Sequence, residues 1–161
     1  MKYIDKLLKI AEKSSKRSEV PVAAMILKNE KVLCYATNTK EKTHDITAHA
    51  EIKCLKRAAK KLKRWNLNDC IMIVTLKPCK MCETVIKEAH LSTVYYLLDK
   101  LDYKHGYSKT NFIKLNNMQT DEEKYKKLLT DFFKNKRKKW NIWYNIYWKV
   151  RVIARWIIKF Y

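Results

Sequence analysis

Two cysteines and one histidine in the sequence have the residue types and spacing of metal ligands. Cys79 and Cys82 form a C-x-x-C pair within "TLKPCKMCETV", and no second C-x-x-C follows that could complete a four-cysteine site. Two thiolates fill only half of the tetrahedral coordination that zinc prefers. Among the four histidines, His49 in "TAHAE" is the best third ligand, because it stands at the start of a predicted helix and ahead of the strand that leads to the cysteines.

The predicted arrangement of these residues leaves one coordination position open. Cys79 and Cys82 lie one helical turn apart at the beginning of one helix, and His49 meets them from the beginning of a second helix, so that water takes the fourth position on zinc. Helix N-termini favour negative charge, which eases ionisation of both thiols. Glu51 lies in the same first turn as His49. We therefore expect Glu51 to take a proton from that water and to pass it to the substrate.

A closed, purely structural metal site is the alternative at this point. In that case Cys54 or His44 would be the fourth ligand, and Glu51 would merely be solvated. The full pattern, H-x-E followed by P-C-x-x-C, favours the catalytic interpretation, because it is the general signature of zinc-dependent nucleobase deaminases. The remaining cysteines lie in apolar runs and are expected to pack as small hydrophobic residues. They are Cys34, Cys54 and Cys70.

Hydrophobic periodicity predicts the elements that must position these side chains. Helices are expected over residues 2–17, 48–63, 79 to about 90, and from about 121 onward; strands are expected over 22–27, 31–37, 70–76 and 92–98. The first two strands are separated by the polar "KNE" and are predicted to form a hairpin. The run "CIMIVTL" is apolar throughout, which is typical of a strand covered on both faces. Because the later strands alternate with helices, we expect a sheet layered between helices.

The charge balance indicates a polyanionic partner. The 161 residues include 36 Lys and Arg against 16 Asp and Glu, a formal net charge of +20. Such a surface attracts nucleic acid, although a lysine-rich composition could also do no more than solvate the surface. The N-terminus has no apolar signal-peptide core, and an odd number of cysteines fits a reducing compartment, so a cytoplasmic location is expected. The sequence contains no uncharged apolar run of about 18 residues, which is the length that would suggest a membrane span.

The sequence resembles the TadA-type tRNA-specific adenosine deaminases over nearly everything before residue 140. Besides "ATN" ending at Asn38, the similar segments are "EVPVAAMIL" (19–27), "HDITAHAEI" (44–52), "VTLKPCKMC" (74–82) and "LLTDFFKNKRKK" (128–139). The "EVPV" and "DFF" segments separate this family from guanine and cytosine deaminases that share H-A-E and P-C-x-x-C. The resemblance implies a cytidine deaminase-like fold, a three-layer α/β/α sandwich with a five-stranded mixed sheet. It also implies a homodimer that converts the wobble adenosine of a tRNA anticodon to inosine.

The resemblance assigns a role to each matching residue. One Zn²⁺ per subunit would be bound by His49, Cys79 and Cys82, with Glu51 as the proton shuttle. The flipped purine would be contacted by Asn38 and the Ala50 amide in a pocket lined by Val20 and Pro21, and the tRNA anticodon stem-loop would be contacted by Asp102, Lys104, Phe132, Phe133 and Lys134.

Three positions depart from the family pattern. Lys77 stands where an acidic residue usually precedes Pro-Cys, and Ala23 replaces a usual glycine. The family's D-x-K-x-G loop is retained as Asp102, Lys104 and Gly106 only if two extra residues follow the preceding strand, and Asp99 is the alternative for its first position.

We expect residues 1–139 to form the deaminase domain and residues 140–161 to form a C-terminal extension. This extension carries four of the five tryptophans together with basic and no acidic side chains. Its role stays open between packing against the domain or a second subunit, contact with RNA, lying on a membrane surface, and a disordered extension without function.

Two other functions compete with tRNA deamination. The first is deamination of a free base or nucleoside of the guanine or cytosine type, which the basic surface disfavours. The second is a non-catalytic RNA-binding subunit that keeps zinc as a structural staple. Glu51 disfavours the second function, because a purely structural site has no use for an acid there.

Overall fold

The computed structural model describes residues 2–99 and 110–138, and within these ranges it contains one five-stranded mixed sheet. The strands are β1 (Ala23–Lys28), β2 (Lys31–Thr37), β3 (Cys70–Leu76), β4 (Thr93–Leu98) and β5 (Asn111–Lys114). Their order across the sheet is β2-β1-β3-β4-β5. Strand β1 runs antiparallel to both of its neighbours, whereas β3, β4 and β5 are parallel. The expected five-stranded mixed sheet is confirmed.

The helices are α1 (Lys2–Ser15), α2 (Lys40–Thr43), α3 (Ala50–Leu62), α4 (Lys80–Glu88) and α5, which covers residues 119–138. Two short elements, α2 and β5, were not predicted from periodicity. Helix α2 is a single polar turn without a buried residue, and β5 has only four residues. Neither is long enough to display a helical or a strand repeat.

Two hydrophobic cores lie on opposite faces of the sheet, which gives the predicted three layers. On one face, Ala23, Met25 and Leu27 of β1 pack with α1 and with Tyr125. On the other face, Ala24 and Ile26 pack with α3 and α4. This alternation is the expected consequence of the two-residue repeat of a strand. Strand β3 contributes to both cores, which confirms that it is covered on both faces.

The hairpin between β1 and β2 is closed without glycine. Asn29 and Glu30 both have positive φ angles, 48° and 60°. Two successive left-handed residues are the geometry of a type I′ turn, whose twist matches that of the paired strands. Asn adopts this region readily, whereas Glu is uncommon there. The predicted hairpin is therefore confirmed, with a turn that glycine usually occupies.

The strand register brings the functional segments to one end of the sheet. Ala23 at the start of β1 pairs with Thr37 at the end of β2, and the neighbouring Ala24 pairs with Val74 near the end of β3. In addition, the Ala23 amide donates to the Thr75 hydroxyl at 3.1 Å. Segments that leave β2 and β3 therefore emerge at the same end of the sheet, on either side of β1, and α3 and α4 begin at this end.

The chain divides into two compact units, residues 1–129 and 130–161. The predicted extension, residues 140–161, lies outside the described residues, and the predicted boundary at residue 139 stays a prediction. In the part of the chain that the structure describes, no helix is both long enough and apolar enough to cross a bilayer.

Leu55→Ala should lower the free energy of unfolding by about 2–5 kcal/mol, because the Leu55 side chain is buried between α3 and the sheet and its removal leaves a cavity. The neighbouring Lys56 is exposed, so Lys56→Ala should change the free energy of unfolding by less than about 0.5 kcal/mol. Urea denaturation of the two variants measures both values. Equal effects would contradict the described packing of α3.

Candidate metal centre

The three predicted ligands lie at the N-termini of α3 and α4. His49 is the N-cap residue of α3 and Cys79 is the N-cap residue of α4, both with extended backbone angles. Neither side chain caps its own helix. Cys82 lies in the first turn of α4 and is fully buried. The side chains of all three residues are thus directed away from their own backbones and into a shared space.

Their ligand atoms have the spacing that a tetrahedral metal ion requires. His49 Nδ1 lies 3.4 Å from Cys82 Sγ and 3.7 Å from Cys79 Sγ. The three ligand atoms all lie within 4.8 Å of one another. Zn–S bonds of about 2.3 Å and Zn–N bonds of about 2.05 Å at a tetrahedral angle would separate sulfur from nitrogen by about 3.5 Å. The arrangement is compatible with zinc.

Glu51 is buried beside these ligands with one oxygen unpaired. The residue is 4% exposed, and Oε2 has no hydrogen-bond partner among the described residues. Burial raises the pKa of this carboxyl group. A buried polar atom without a partner costs about 1–3 kcal/mol, so its retention calls for an explanation outside the hydrogen bonds of the chain. A metal ion with an associated water molecule would provide the missing partner.

The two thiols share one negative charge. Hydrogen bonds from Cys82 and His49 lower the pKa of Cys79 to about 3. The pKa of Cys82 is raised in turn, because Cys82 donates to the Cys79 thiolate and is itself buried. The contact with Cys79 also raises the pKa of His49. The Cys79 thiolate supplies a negative charge at the meeting point of the three ligands, and a negative ligand atom favours the binding of a divalent cation.

Neither of the alternative fourth ligands joins the group. Within residues 2–99 and 110–138, the close cluster of potential ligands contains His49, Cys79 and Cys82 alone. The Cys54 sulfur instead lies 3.5 Å from that of Cys34. As expected, Cys34, Cys54 and Cys70 are all buried. Three protein ligands leave a fourth tetrahedral position for a non-protein group.

The amide that was expected to face a substrate base is already paired. The Ala50 N–H donates to Asn38 Oδ1 at 2.8 Å. This bond fixes the orientation of the Asn38 carboxamide, because only its oxygen can accept. The Asn38 side-chain nitrogen is consequently the end that can donate to a ligand. Direct contact between Ala50 and substrate stays a prediction that the observed bond does not favour.

The segment of Val20 and Pro21 lies beside Asn38. The Asn38 N–H donates to the Val22 carbonyl at 3.3 Å, which links the end of β2 to the residues before β1. Pro21 is buried, and Val20 is partly buried against the core on the α3 side. The predicted pocket-lining residues therefore border the same end of the sheet as His49.

Comparisons with known proteins identify the family. A family model of the MafB19-like deaminases matches residues 1–137. This chain belongs to that family. The tRNA-specific adenosine deaminase of Buchnera aphidicola subsp. Baizongia pistaciae is 36% identical over 137 residues, which cover 80% of this chain and 85% of that protein. The sequence-based resemblance is thereby confirmed.

Two further similarities differ in extent. The chloroplastic tRNA(adenine(34)) deaminase of Arabidopsis thaliana is 37% identical over 86 residues, which are 53% of this chain but only 7% of that protein. A structure solved in a study of A-to-I editing by tRNA:A34 deaminases at the wobble position of transfer RNA has a TM-score of 0.71. It is 24% identical and covers 80% of this chain and 100% of that one, which supports the cytidine deaminase-like fold.

The unusual lysine of this MafB19-like deaminase is neutralised by an ion pair. Lys77 Nζ lies 3.1 Å from Asp99 Oδ1 and 5.4 Å from the centre of the Tyr96 ring. Lys114 lies 3.8 Å from the other Asp99 oxygen. The pair ties the residues before Cys79 to the end of β4. In the sequence, the only sign of this ion pair is that Lys77 stands where the family usually has an acidic residue. Asp102 and Lys104 lie outside the described residues.

The predicted anticodon-loop residues lie in the second unit, on α5. The Phe132 and Phe133 rings meet edge to face with centroids 5.2 Å apart, and Lys136 lies over the Phe132 ring. Phe133 is 45% exposed, and Lys134 is exposed. An exposed aromatic ring next to cations is suited to stacking on an unpaired base. Contact with RNA stays a prediction.

Replacing Cys82 by Ser, or His49 by Ala, should abolish stoichiometric metal binding, because the remaining two ligands cannot hold a tetrahedral ion. Elemental analysis of the purified proteins should give about one ion per chain for the parent and far less for either variant. Cys70→Ser is the matched control, since Cys70 is also buried but lies outside the ligand cluster. Loss of metal from this control, or its retention in Cys82→Ser, would refute the ligand assignment.

Proposed function

We propose that this protein is a zinc-dependent hydrolase that converts the wobble adenosine of a tRNA anticodon to inosine. The observation that carries the proposal is the group of three ligands beside a buried carboxylate with an unpaired oxygen. The similarity to proteins named tRNA-specific adenosine deaminases supports adenosine in tRNA as the substrate. The overall reaction adds one water molecule and releases one ammonia.

The chemistry of the donor set favours zinc. Two thiolates and one imidazole suit a borderline-soft divalent ion that prefers tetrahedral coordination. When bound, zinc supplies Lewis acidity, which lowers the pKa of water so that it can lose its proton near neutral pH. We propose His49, Cys79 and Cys82 as the protein ligands, with one ion per subunit.

Glu51 is proposed as the group that moves protons. Its pKa is raised by burial, so the carboxyl group can take up and release a proton closer to neutrality than an exposed glutamate. It accepts the proton of the attacking water and delivers it to N1 of the purine ring. The proton of the new C6 hydroxyl group then passes to the amino group, which leaves as ammonia while the C6 carbonyl forms. A purely structural metal site would not require a buried carboxyl group at this place.

Asn38 is proposed to orient the flipped base. Its oxygen accepts from the Ala50 amide, so its nitrogen donates to an acceptor on the purine ring. Removal of the base from the RNA stack is costly and is compensated by such contacts in the pocket. Val20 and Pro21 are proposed to line this pocket, and Phe132, Phe133 and Lys134 are proposed to contact the anticodon loop.

The competing functions make different demands on the surface. A deaminase of free bases has no need for a net charge of +20, whereas an enzyme that acts on folded RNA does. A non-catalytic subunit would have no use for Glu51. The homodimer stays a prediction from the resemblance, and the cytoplasmic location stays a prediction from the N-terminal composition and the cysteine count.

Glu51→Gln should reduce the rate of inosine formation by about 10²–10⁴-fold, because glutamine has a similar shape but cannot accept the proton. Mass spectrometry of nucleosides from treated tRNA measures the product. Bound metal and tRNA affinity, measured in the same samples, should be unchanged. Full activity of this variant would refute the mechanism. Failure of the parent to form inosine, together with turnover of free guanine or cytosine, would favour a small-molecule deaminase.

Asn38→Asp should lower kcat/KM for tRNA by about 10–100-fold, because the new carboxylate still accepts from Ala50 but no longer donates to the base. Asn38→Ala is the comparison, since it also leaves the buried Ala50 amide without a partner and should lower the melting temperature. Steady-state editing kinetics and thermal denaturation separate the two effects. Wild-type kinetics for Asn38→Asp would show that the side-chain nitrogen does not contact the substrate.

A further inference from the structure

The exposed edge of the sheet carries two grooves that the metal centre does not use. Strand β2 is one of the two edge strands, β5 being the other, and both grooves follow β2 on the side away from β1. They share the side chains of Tyr35 and Arg57, so they form one continuous surface, which we call the β2 groove. Its two parts have volumes of about 680 and 360 Å³. All of its lining residues belong to the first compact unit.

About half of the residues that line the β2 groove are cationic. The larger part is lined by Lys6 from α1 and by Arg57, Lys60 and Lys61 from α3. Arg57 also borders the smaller part. Positive side chains from helices on opposite faces of the sheet thus converge on one edge. Such convergence creates a local positive potential that a uniformly solvated lysine surface would not have.

The smaller part continues the same charge toward the candidate active site. It is lined by Lys13, Arg17, Lys42 and Lys53. Glu19 is the acidic residue among the described groove-lining side chains, but it is buried, and its carboxylate accepts from the backbone amides of residues 41 and 42 at 3.2 and 2.8 Å. These hydrogen bonds hold the carboxylate at the start of α2, where its one negative charge offsets only part of the positive charge of the five cations that line this part.

The packing of these cations favours an anionic ligand. Burial is the largest cause that lowers the pKa of Lys53; the neighbouring Arg57, Arg17 and Lys42 lower it further, whereas the single carboxylate of Glu19 raises it. Like charges held this close repel one another unless an anion lies between them. A phosphate group supplies that charge with several acceptor oxygens.

The edge strand itself is closed to a protein partner. Strand edges usually attract another strand through their unpaired carbonyl and amide groups. Here Arg57 donates to the Tyr35 carbonyl, and Lys61 Nζ donates to the Leu33 carbonyl at 2.7 Å. These cations occupy two carbonyl groups of β2, which disfavours pairing with an additional strand there and favours recognition by charge.

The groove is lined at one end by the two residues that flank the proposed base-binding residue Asn38, namely Thr37 and Thr39. Lys53 Nζ donates to the Thr39 hydroxyl at 2.7 Å, and Thr39 is the residue after Asn38. The Thr39 amide in turn donates to the Ala48 carbonyl, immediately before His49. A backbone that delivers a base to Asn38 would therefore meet Lys53 and Arg17 next.

We propose that the β2 groove binds the sugar-phosphate backbone of the RNA that flanks the flipped nucleotide. This inference rests on the proposed function, since it takes the RNA to be the substrate of the neighbouring metal centre. The groove contributes affinity and not catalysis, because none of its cations belongs to the metal-ligand group. Contacts to phosphates position a nucleic acid without reading its sequence.

The test neutralises three groove cations in the full chain with Lys13→Gln, Arg17→Gln and Lys60→Gln. The control neutralises three cations that do not line the groove, with Lys9→Gln, Lys16→Gln and Lys56→Gln. Both variants fall from a net charge of +20 to +17, because each loses three positive charges. A charge-retaining variant, Lys13→Arg with Arg17→Lys and Lys60→Arg, controls for changes in packing. Melting temperatures verify that every variant is folded.

Filter binding of unmodified tRNA between about 50 and 200 mM salt is the primary measurement. The groove variant should bind about tenfold or more weakly at the lower salt concentration, and its salt slope should fall by about 2–3, close to one for each phosphate that is no longer neutralised. The control and the charge-retaining variant should stay within about threefold of the parent, with a slope change below about one. The kcat for inosine formation at saturating tRNA should be unchanged in all of them.

The outcomes separate this inference from the proposed function. Equal weakening of tRNA binding by the groove and control variants would overturn the groove assignment, even if the parent forms inosine. A parent that forms no inosine but loses tRNA binding only with the groove variant would overturn the deaminase proposal and support the groove. A fall in kcat without a change in affinity would overturn the positioning role.

Discussion

The structure depends on the meeting of two helix N-termini at one end of the sheet. There, His49 Nδ1 lies within 3.7 Å of both cysteine sulfurs, although the histidine and the cysteines are 30 and 33 positions apart in the chain. Hydrogen bonds from Cys82 and His49 lower the pKa of Cys79, and the positive field of a helix N-terminus acts in the same direction. The strand register fixes where α3 and α4 begin, because β3 leads directly into Cys79. The strand register that determines the fold therefore also determines the positions of the three metal ligands.

This constraint is satisfied at an energetic cost that the rest of the core must offset. Glu51 is buried with an unpaired oxygen, which destabilises the chain by about 1–3 kcal/mol relative to a fully satisfied carboxyl group. The compensation is the apolar packing of the same helix: Ile52, Leu55 and Ala58 are all buried on the face below Glu51. Functional sites often retain features that lower the stability of the folded chain, and a buried polar atom without a hydrogen-bond partner is one of them.

Elements that are long enough to show a helical or a strand repeat could be predicted from the sequence. The ligand cluster could be predicted as well, because H-x-E and C-x-x-C are short motifs that each lie at the beginning of one predicted helix. Strand β5 could not be predicted, since four residues do not establish a repeat. The Lys77–Asp99 pair and the Ala50–Asn38 bond were also missed, because both join residues that only the strand register brings together. The fifth strand itself was anticipated from the family resemblance and not from periodicity.

The positions of the cations in the fold, and not the net charge alone, determine how an RNA substrate would be oriented. A charge of +20 attracts any polyanion over about 8–10 Å at physiological salt, and this attraction alone cannot orient a substrate. Orientation requires cations in fixed positions relative to the metal centre, and Lys53 meets that requirement through its bond to Thr39. The capped carbonyls of β2 add selectivity, since they disfavour a strand at the same edge. Diffuse attraction can therefore set the rate of encounter with RNA, while the β2 groove determines which part of the RNA reaches Asn38.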